Sequence, residues 1–293
     1  MKYGITGNTQ KEKLWTPVAH LAAWLMENDL DFCMKADLAL GLAERRLLDT
    51  AVCEAHSVPD LAASADVLLS FGGDGTLLHS AHEVGTRGIP ILGVNIGRLG
   101  FLADIEVGQL QQTILRLERG EYRTEQRMVL AAEIHDEALR ETRWALNEFV
   151  VERSGPSGML SINIAADGIH LNEYWADGLI IATATGSTAY SLSVGGPIVA
   201  PGCDVIILTP IAPHSLTVRP IVLPGSSVVE ARVVDHQQPY VLAADGRSAS
   251  FHAPGVRFVI RRAAHTVNLI KLPEQHYFQT IRSKLMWGVL RHG

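Results

Sequence analysis

The chain reads as an α/β domain built on a parallel sheet, followed by an all-β domain, with a C-terminal tail that returns to the first. Three observations predict this. Up to residue 125, short apolar runs alternate with stretches of helical spacing, the pattern of successive βαβ units. Beyond it the helical period fades, and strand-like runs follow one another between Gly, Pro, Asn and Asp. Helical spacing then reappears at Phe278, Ile281 and Leu285. The expected domains are therefore 1–125, joined by the tail 274–293, and 126–273.

In the first domain Thr16 is placed to cap a helix with Pro17 at its first position, and Val18, Leu21, Ala22 and Leu25 follow on one face. Val67–Phe71 and Ile89–Val94 are apolar enough for buried parallel strands, with Thr76–Val84 the helix between them. Asp104 stands where an N-cap belongs, ahead of Leu110, Ile114 and Leu117. In the second domain the expected strands are Val129–Ile134, Trp144–Val151, Ser161–Ala165, Leu179–Thr183, Val205–Thr209, Val228–Val234, Tyr240–Ala243, Phe258–Ile260 and Val267–Leu272. Asp-Gly pairs at Asp167-Gly168, Asp177-Gly178 and Asp245-Gly246 favour tight turns.

Composition narrows the class. Hydrophobic residues are 47% and charged residues 19%, too apolar for a disordered chain. No apolar run reaches the length of a membrane helix, and Met1–Asn8 lacks the apolar stretch of a secretory leader. Cys33, Cys53 and Cys203 are scattered, without CxxC spacing, which suggests neither a disulfide framework nor a zinc site. The cytoplasm is the expected compartment, with no membrane partner. A net charge of −6 argues against broad nucleic-acid binding but leaves room for a local basic pocket.

The segment Gly72-Gly73-Asp74-Gly75-Thr76 carries the most chemistry. It follows an apolar strand and opens a helix, so its backbone N–H groups form an anion site of the kind phosphate uses. Asp74 is the odd member, because a carboxylate repels the phosphates those amides attract. It makes sense as a ligand of the phosphates' magnesium or as acceptor of a proton from an attacking hydroxyl. The segment has no lysine and fails both the P-loop and dinucleotide fingerprints. Gly-Gly-Asp-Gly recurs instead in sugar, lipid and nucleotide kinases.

Other segments point to a nucleotide. Asn95–Leu102 follows a strand and offers the Asn95 amide and the Arg98 guanidinium. Thr185–Ser191 supplies hydroxyls, a Gly and the Tyr190 ring, suited to ribose, phosphate and an aromatic base. A serine nucleophile is not indicated there, since no G-x-S-x-G turn is present. Asn147-Glu148 places an amide and a carboxylate in a run that reads as buried strand, where they need polar partners such as ribose or an adenine edge, unless the strand is an edge. Asp177 either fixes a sugar hydroxyl or makes a turn. His79 and His82 have metal-like spacing without a third ligand, which favours a partly exposed helix face with His79 near Asp74.

In this order, Gly72–Thr76, Asn95–Leu102, Asn147-Glu148, Asp177–Leu179, Thr185–Ser191 and Pro210–Leu216 resemble the NAD kinases, and Arg219–Leu223 and the tail from Phe278 fit as well. The resemblance implies an α/β domain and a β domain with NAD between them, in a homodimer or homotetramer. It implies transfer of phosphate from ATP, with a divalent metal such as Mg²⁺, to the adenosine 2′-hydroxyl of NAD. By position it implies catalysis by Asp74 with Gly75 and His79 beside it, and adenosine held by Asn147, Glu148 and Thr188, Ala189, Tyr190, Ser191, Leu192 and Ser193. Trp175, Asp177, Ala212 and Arg247 complete the cofactor site on the same basis. The chain departs from the family where Trp175 replaces a frequent basic residue, where Gly158 and Arg247 replace His and Gln, and where Ala184 replaces Pro. A lipid or sphingoid kinase and a nucleotide-sensing protein without turnover are the rival readings.

Overall fold

The computed structural model describes the chain apart from residues 98–99, 136–141, 156–157, 236–238, 252–254 and 288–293. It divides into one unit of residues 1–126 and 267–293 and another of residues 127–266. Residues 267–271, strand-like in the sequence, thus belong to the first unit.

The first unit opens with β1 (Tyr3–Gly7), α1 (Trp15–Glu27), β2 (Phe32–Lys35), α2 (Ala36–Glu44), α3 (Thr50–His56), β3 (Ser57–Val58) and α4 (Leu61–Ser64). It continues through β4 (Val67–Gly72), α5 (Asp74–Val84), β5 (Ile91–Asn95), β6 (Ile105–Glu106) and α6 (Leu110–Glu118). The strands pair in parallel in the order β3-β2-β1-β4-β5-β6. The chain therefore moves outward from β1 to β3 and then restarts on the other side of β1 with β4. Side chains of α1, including Val18, Leu21, Ala22 and Leu25, join Tyr3, Ile5, Leu69 and Phe71 in one core.

The second unit holds β7 (Arg123–His135) from Arg127 on, β8 (Thr142–Ala145), β9 (Glu148–Arg153), β10 (Leu160–Ala166), β11 (Ile169–Ala176), β12 (Gly178–Thr183), the short α7 (Tyr190–Ser193) and β13 (Val205–Ile211). It goes on with β14 (Ile221–Pro224), β15 (Val229–Asp235), β16 (Tyr240–Ala244), β17 (Arg247–Phe251) and β18 (Arg257–Lys271) as far as Thr266. One antiparallel sheet runs β14-β13-β12-β9-β16-β17, and β11, β10, β15 and the start of β18 form a second antiparallel set. Phe149, Val151 and Ile181 of the former pack with Ile162, Val233 and Phe258 of the latter, as sandwiched sheets do. In the first unit the end of β18 lies parallel to β5, Leu269 opposite Ile91, and α8 (Tyr277–Leu285) follows with Ile281 buried.

An N-terminal α/β domain with a mainly parallel sheet and a C-terminal antiparallel β domain are thus present as the sequence predicts. Several elements differ in detail. Thr16 does not cap α1, because Leu14 and Trp15 are already helical and continue a 3₁₀ turn at Glu12–Leu14. Asp104 does not cap α6, which begins at Leu110 after a 3₁₀ turn with Gln109 as its cap. The run 144–151 is broken at Leu146-Asn147, where the backbone turns its amides toward Asp245. Residues 258–260 and 267–271 form one strand, because Arg261 and Arg262 between them pair with Glu133 and Asp204 and do not interrupt it. The mostly exposed strands β11, β14 and β17 lack the buried apolar pattern that reveals the others.

Candidate functional site

In open parallel sheets, ligands bind beyond the carboxyl ends of the strands where the order reverses. Here that place is the end of β1 beside β4, and Gly72–Thr76 occupies it. The apolar run of β4 is wholly buried, and the chain leaves it directly into α5. Thr76 and Leu77 donate to the Gly73 carbonyl, so the amides of Asp74 and Gly75 precede the first intrahelical bond at the positive end of the helix. Gly72 is required by packing, since a Cβ there would stand 2.1 Å from the Thr76 hydroxyl. Cavities open on both sides. One of about 450 Å³ has Lys11, Glu12, Lys13, Gly72, Gly73 and Asn95 in its lining, and one of about 300 Å³ has Asn8, Lys35, Asp37, Gly75, Thr76 and His79.

Asp74 is held firmly. Its Oδ2 accepts the Phe101 N–H at 2.9 Å, and its Oδ1 accepts those of Leu102 at 3.0 Å and Ala103 at 3.1 Å. Gly100 is needed beside it, because an added Cβ would lie 1.9 Å from Oδ1. Each carboxylate oxygen has two lone pairs, so Oδ2 keeps acceptor capacity for a hydroxyl or a cation. Asn95 uses its own Oδ1 to accept the Gly97 N–H at 2.8 Å, and Arg98 lies outside the described residues. Gly75 and His79 are exposed on α5, His79 Nε2 being 3.6 Å from Glu83, which also pairs with Lys35.

In the β unit the structure brings Asn147-Glu148 to the Thr185–Ser193 segment. The Asp245 carboxylate accepts the N–H groups of Leu146, Asn147 and Glu148 at 2.7, 2.8 and 3.2 Å. Asp245 can do this from the left-handed region, φ 47°, where Asp is tolerated and Gly246 completes the tight β16–β17 turn. Thr183 donates its hydroxyl to the Leu146 carbonyl and its N–H to that of Asn147. Gly186 must lack a Cβ, which would approach the Asn147 carbonyl to 2.2 Å.

Glu148 is thereby buried with Oε2 unpartnered. Burial, reinforced by the Asp245 charge, pushes its pKa up to about 8, against a backbone N–H from Tyr190 that favours the ion. Of the hydroxyl segment, Thr188 and Ala189 are half-buried, while Tyr190 and Ser193 are exposed. Burial and the nearby Glu152 and Asp177 carboxylates raise the Tyr190 phenol. Ser191 is fully buried with its hydroxyl 2.9 Å from Thr209 Oγ1, so it supports the segment from beneath, and Leu192 is half-buried.

Trp175, Asp177 and Ala212 also converge. The N–H of Asp177 donates to the Ile211 carbonyl at 3.0 Å, and that of His214 to the Trp175 carbonyl at 2.8 Å. Between these bonds Ala212 takes φ 44°, a strained value for a residue with a Cβ. The Trp175 ring is 60% exposed and meets the His214 ring edge-on at 6.3 Å. Asp177 is bound by Arg153, Nε to Oδ1 at 2.8 Å and Nη2 to Oδ2 at 3.3 Å, which the turn reading did not anticipate. Arg247 opens β17 beside the Asp245 turn and is exposed. Asp245 and Arg153 are the positioning groups that sequence reasoning missed. Only the repeated Asp-Gly pairs gave a signal for the first, and nothing local did for the second.

The family models for the ATP-NAD kinase N-terminal domain and C-terminal domain match residues 3–122 and 146–272. The chain is 40% identical to an NAD kinase of Bacteroides fragilis, with 98% of each chain covered. It is 43% identical to one of Gemmatimonas aurantiaca over 77% of this chain and 78% of that one. In fold it is similar to yeast NADH kinase complexed with NADH, at a TM-score of 0.88 and 24% identity, covering 99% of this chain and 89% of that one.

The raised Glu148 carboxyl has a consequence for stability. Between its unfolded value near the usual carboxylate range and about 8, the folded protein binds a proton that the unfolded chain has released, so stability falls as pH rises through this window. Glu148→Gln removes that contribution. Melting temperatures from pH 5 to 9 should show the variant gaining on the wild type up to pH ~8 and the gap levelling above it. Parallel curves for the two proteins would contradict the assignment.

Proposed function

The chain belongs to the NAD kinase family, and we propose that it transfers the γ-phosphoryl group of ATP to the 2′-hydroxyl of the adenosine ribose of NAD, giving NADP. The observation that carries this reading is the Gly72–Thr76 loop, which sets helix-end amides and a braced carboxylate at the reversal point of a parallel sheet with lysines beside it. Phosphoryl transfer asks little covalent work of a protein. Its rate comes from alignment and from groups that take the charge developing on the phosphoryl oxygens.

Each residue then has a task. The Asp74 and Gly75 amides and Lys11, Lys13 and Lys35 hold donor phosphates. Asn147 and the Thr188–Ser193 segment hold adenosine, and Glu148 Oε2, buried without a partner, meets a ribose hydroxyl. Asp177, Ala212, Trp175 and Arg247 line the remainder of the cofactor. As the 2′-oxygen attacks, the O–P bond forms, the bond to the ADP oxygen breaks, and the hydroxyl proton passes to Asp74 Oδ2.

No group of three or more His, Cys, Asp or Glu side chains among the described residues could hold a metal. A magnesium ion fits nevertheless, because it keeps waters and binds through one or two carboxylates together with phosphates. Held by the ATP phosphates and Asp74, it would neutralise charge on the transferring group.

The test is NADP formation from NAD, ATP and Mg²⁺ by the purified protein. Asp74→Asn should preserve NAD binding while lowering kcat by ~10²–10⁴, the worth of general-base assistance. Retention of a tenth of the wild-type rate would remove Asp74 from that role.

Trp175 replaces a cation with a neutral aromatic face that can stack on either redox form of the cofactor. Its exposure leaves the ring available for this. Selectivity between NAD and NADH should therefore stay within about tenfold in kcat/KM, and Trp175→Arg should shift it. A strongly NAD-selective wild type that the substitution leaves unmoved would end the idea.

No helix among the described residues is long and apolar enough to cross a membrane. The reading as a cytoplasmic homo-oligomer, dimer or tetramer rests on the family resemblance alone. Sedimentation of the purified protein as a monomer at working concentrations would overturn the assembly.

A further inference from the structure

Lys271 ends β18 with its side chain buried, 5% exposed, and its Nζ 2.6 Å from Asp104 Oδ2 and 3.3 Å from the Leu102 carbonyl oxygen. Removing an ammonium and a carboxylate from water is costly for each ion, and a well-packed apolar pair in their place is often no less stable. The pair therefore asks for a purpose beyond cohesion.

The connectivity supplies one. The Leu102 carbonyl that receives Lys271 and the Ala103 N–H that binds Asp74 Oδ1 belong to the same peptide group. A continuous path runs from the ammonium through the Leu102 carbonyl and the Ala103 N–H to the Asp74 carboxylate. A cation on the carbonyl oxygen polarises the peptide and strengthens its N–H as a donor. The same Nζ grips Asp104, the next residue on, so the segment is held on its carbonyl side by Lys271 and on its amide side by Asp74. Neighbours leave it little freedom. Gly100 donates to the Ala103 carbonyl at 3.1 Å, and Gly93 on β5 lacks the Cβ that would lie 2.7 Å from Ala103 Cα. The parallel pairing of Leu269 with Ile91 anchors the strand that delivers the lysine.

We propose that Lys271 is a positioning residue for phosphoryl transfer, fixing and polarising, through the Leu102–Ala103 peptide, the amides that hold the Asp74 carboxylate. This rests on the role given to Asp74 above. Displacing a reacting group by about 1 Å can cost ~10²-fold in rate, so loss of the brace falls on kcat.

The experiment is a kinetic double-mutant cycle in the full chain, with Lys271→Met and Asp74→Asn singly and together, rates being normalised to folded sites titrated with NAD. Lys271→Met should lower kcat by about tenfold or more while KM for NAD stays within about twofold, the signature of an interaction felt in the transition state. In the Asp74→Asn background the same change should cost less than about twofold, because residues acting through one another are not additive. A lysine that only stabilises the fold would lower the melting temperature, leave kcat per site unchanged and act additively, and that result overturns the proposal. Should Asp74→Asn keep the wild-type rate, the role of Asp74 fails first. Loss there together with additive behaviour fails Lys271 alone. If Lys271→Met does not fold, Asp104→Asn, equal in size, takes its place in the cycle, where non-additive loss of kcat supports the brace and additive behaviour overturns it.

Discussion

Among the described residues, each unit has a carboxylate that accepts three successive backbone N–H groups, Asp74 on residues 101–103 and Asp245 on residues 146–148. Buried main-chain donors must find acceptors, and loop segments have no ladder to provide them. One short side chain satisfies all three at once with charge-assisted bonds, stronger than neutral ones. In doing so it fixes the path of a segment that regular structure cannot hold. The groups attributed to chemistry, Asp74 itself and Asn147-Glu148, are members of these two clasps or lie directly on them.

The clasps explain how irregular backbone becomes a defined site. Around Asp245, Thr183 and Gly186 complete the restraint, one by hydrogen bonds and the other by having no Cβ to collide with the Asn147 carbonyl. The result is a carboxyl, Glu148, kept from water and near a second negative charge, so that its neutral form persists to about pH 8. A ribose hydroxyl reaching Oε2 would meet a group whose protonation the protein has already set. Around Asp74, the brace from Lys271 and Asp104 has the same logic with the opposite charge, a buried cation supporting an anion across one peptide.

The chain is acidic overall, with a net charge of −6, yet the proposed substrates are polyanions. Local placement resolves this. The cavities flanking Gly72–Thr76 carry Lys11 and Lys13 against Glu12 on one side and Lys35 against Asp37 on the other, and the helix-end amides add partial positive charge where the backbone can come closest. Net charge governs solubility and nonspecific association, whereas the potential within a cavity is set by the few groups that line it.

The amino-acid sequence by itself determined whatever depends on near neighbours in the chain. The apolar run of β4, the glycines after it and the start of α5 are contiguous, so strand, anion-binding turn and helix could be read together, as could the change of texture from α/β to all-β. Tertiary structure decided what depends on partners far along the chain. Asp104 looks like a helix cap locally and is instead the counter-ion of Lys271, 167 residues away. Asp177 looks like a turn residue and is held by Arg153, and Asp245 looks like half of a hairpin turn and is the clasp for residues nearly a hundred positions earlier. A local pattern records the preference of a side chain for a backbone shape. It cannot record which distant donor will be brought within 3 Å, because that follows only from the order in which the strands pair.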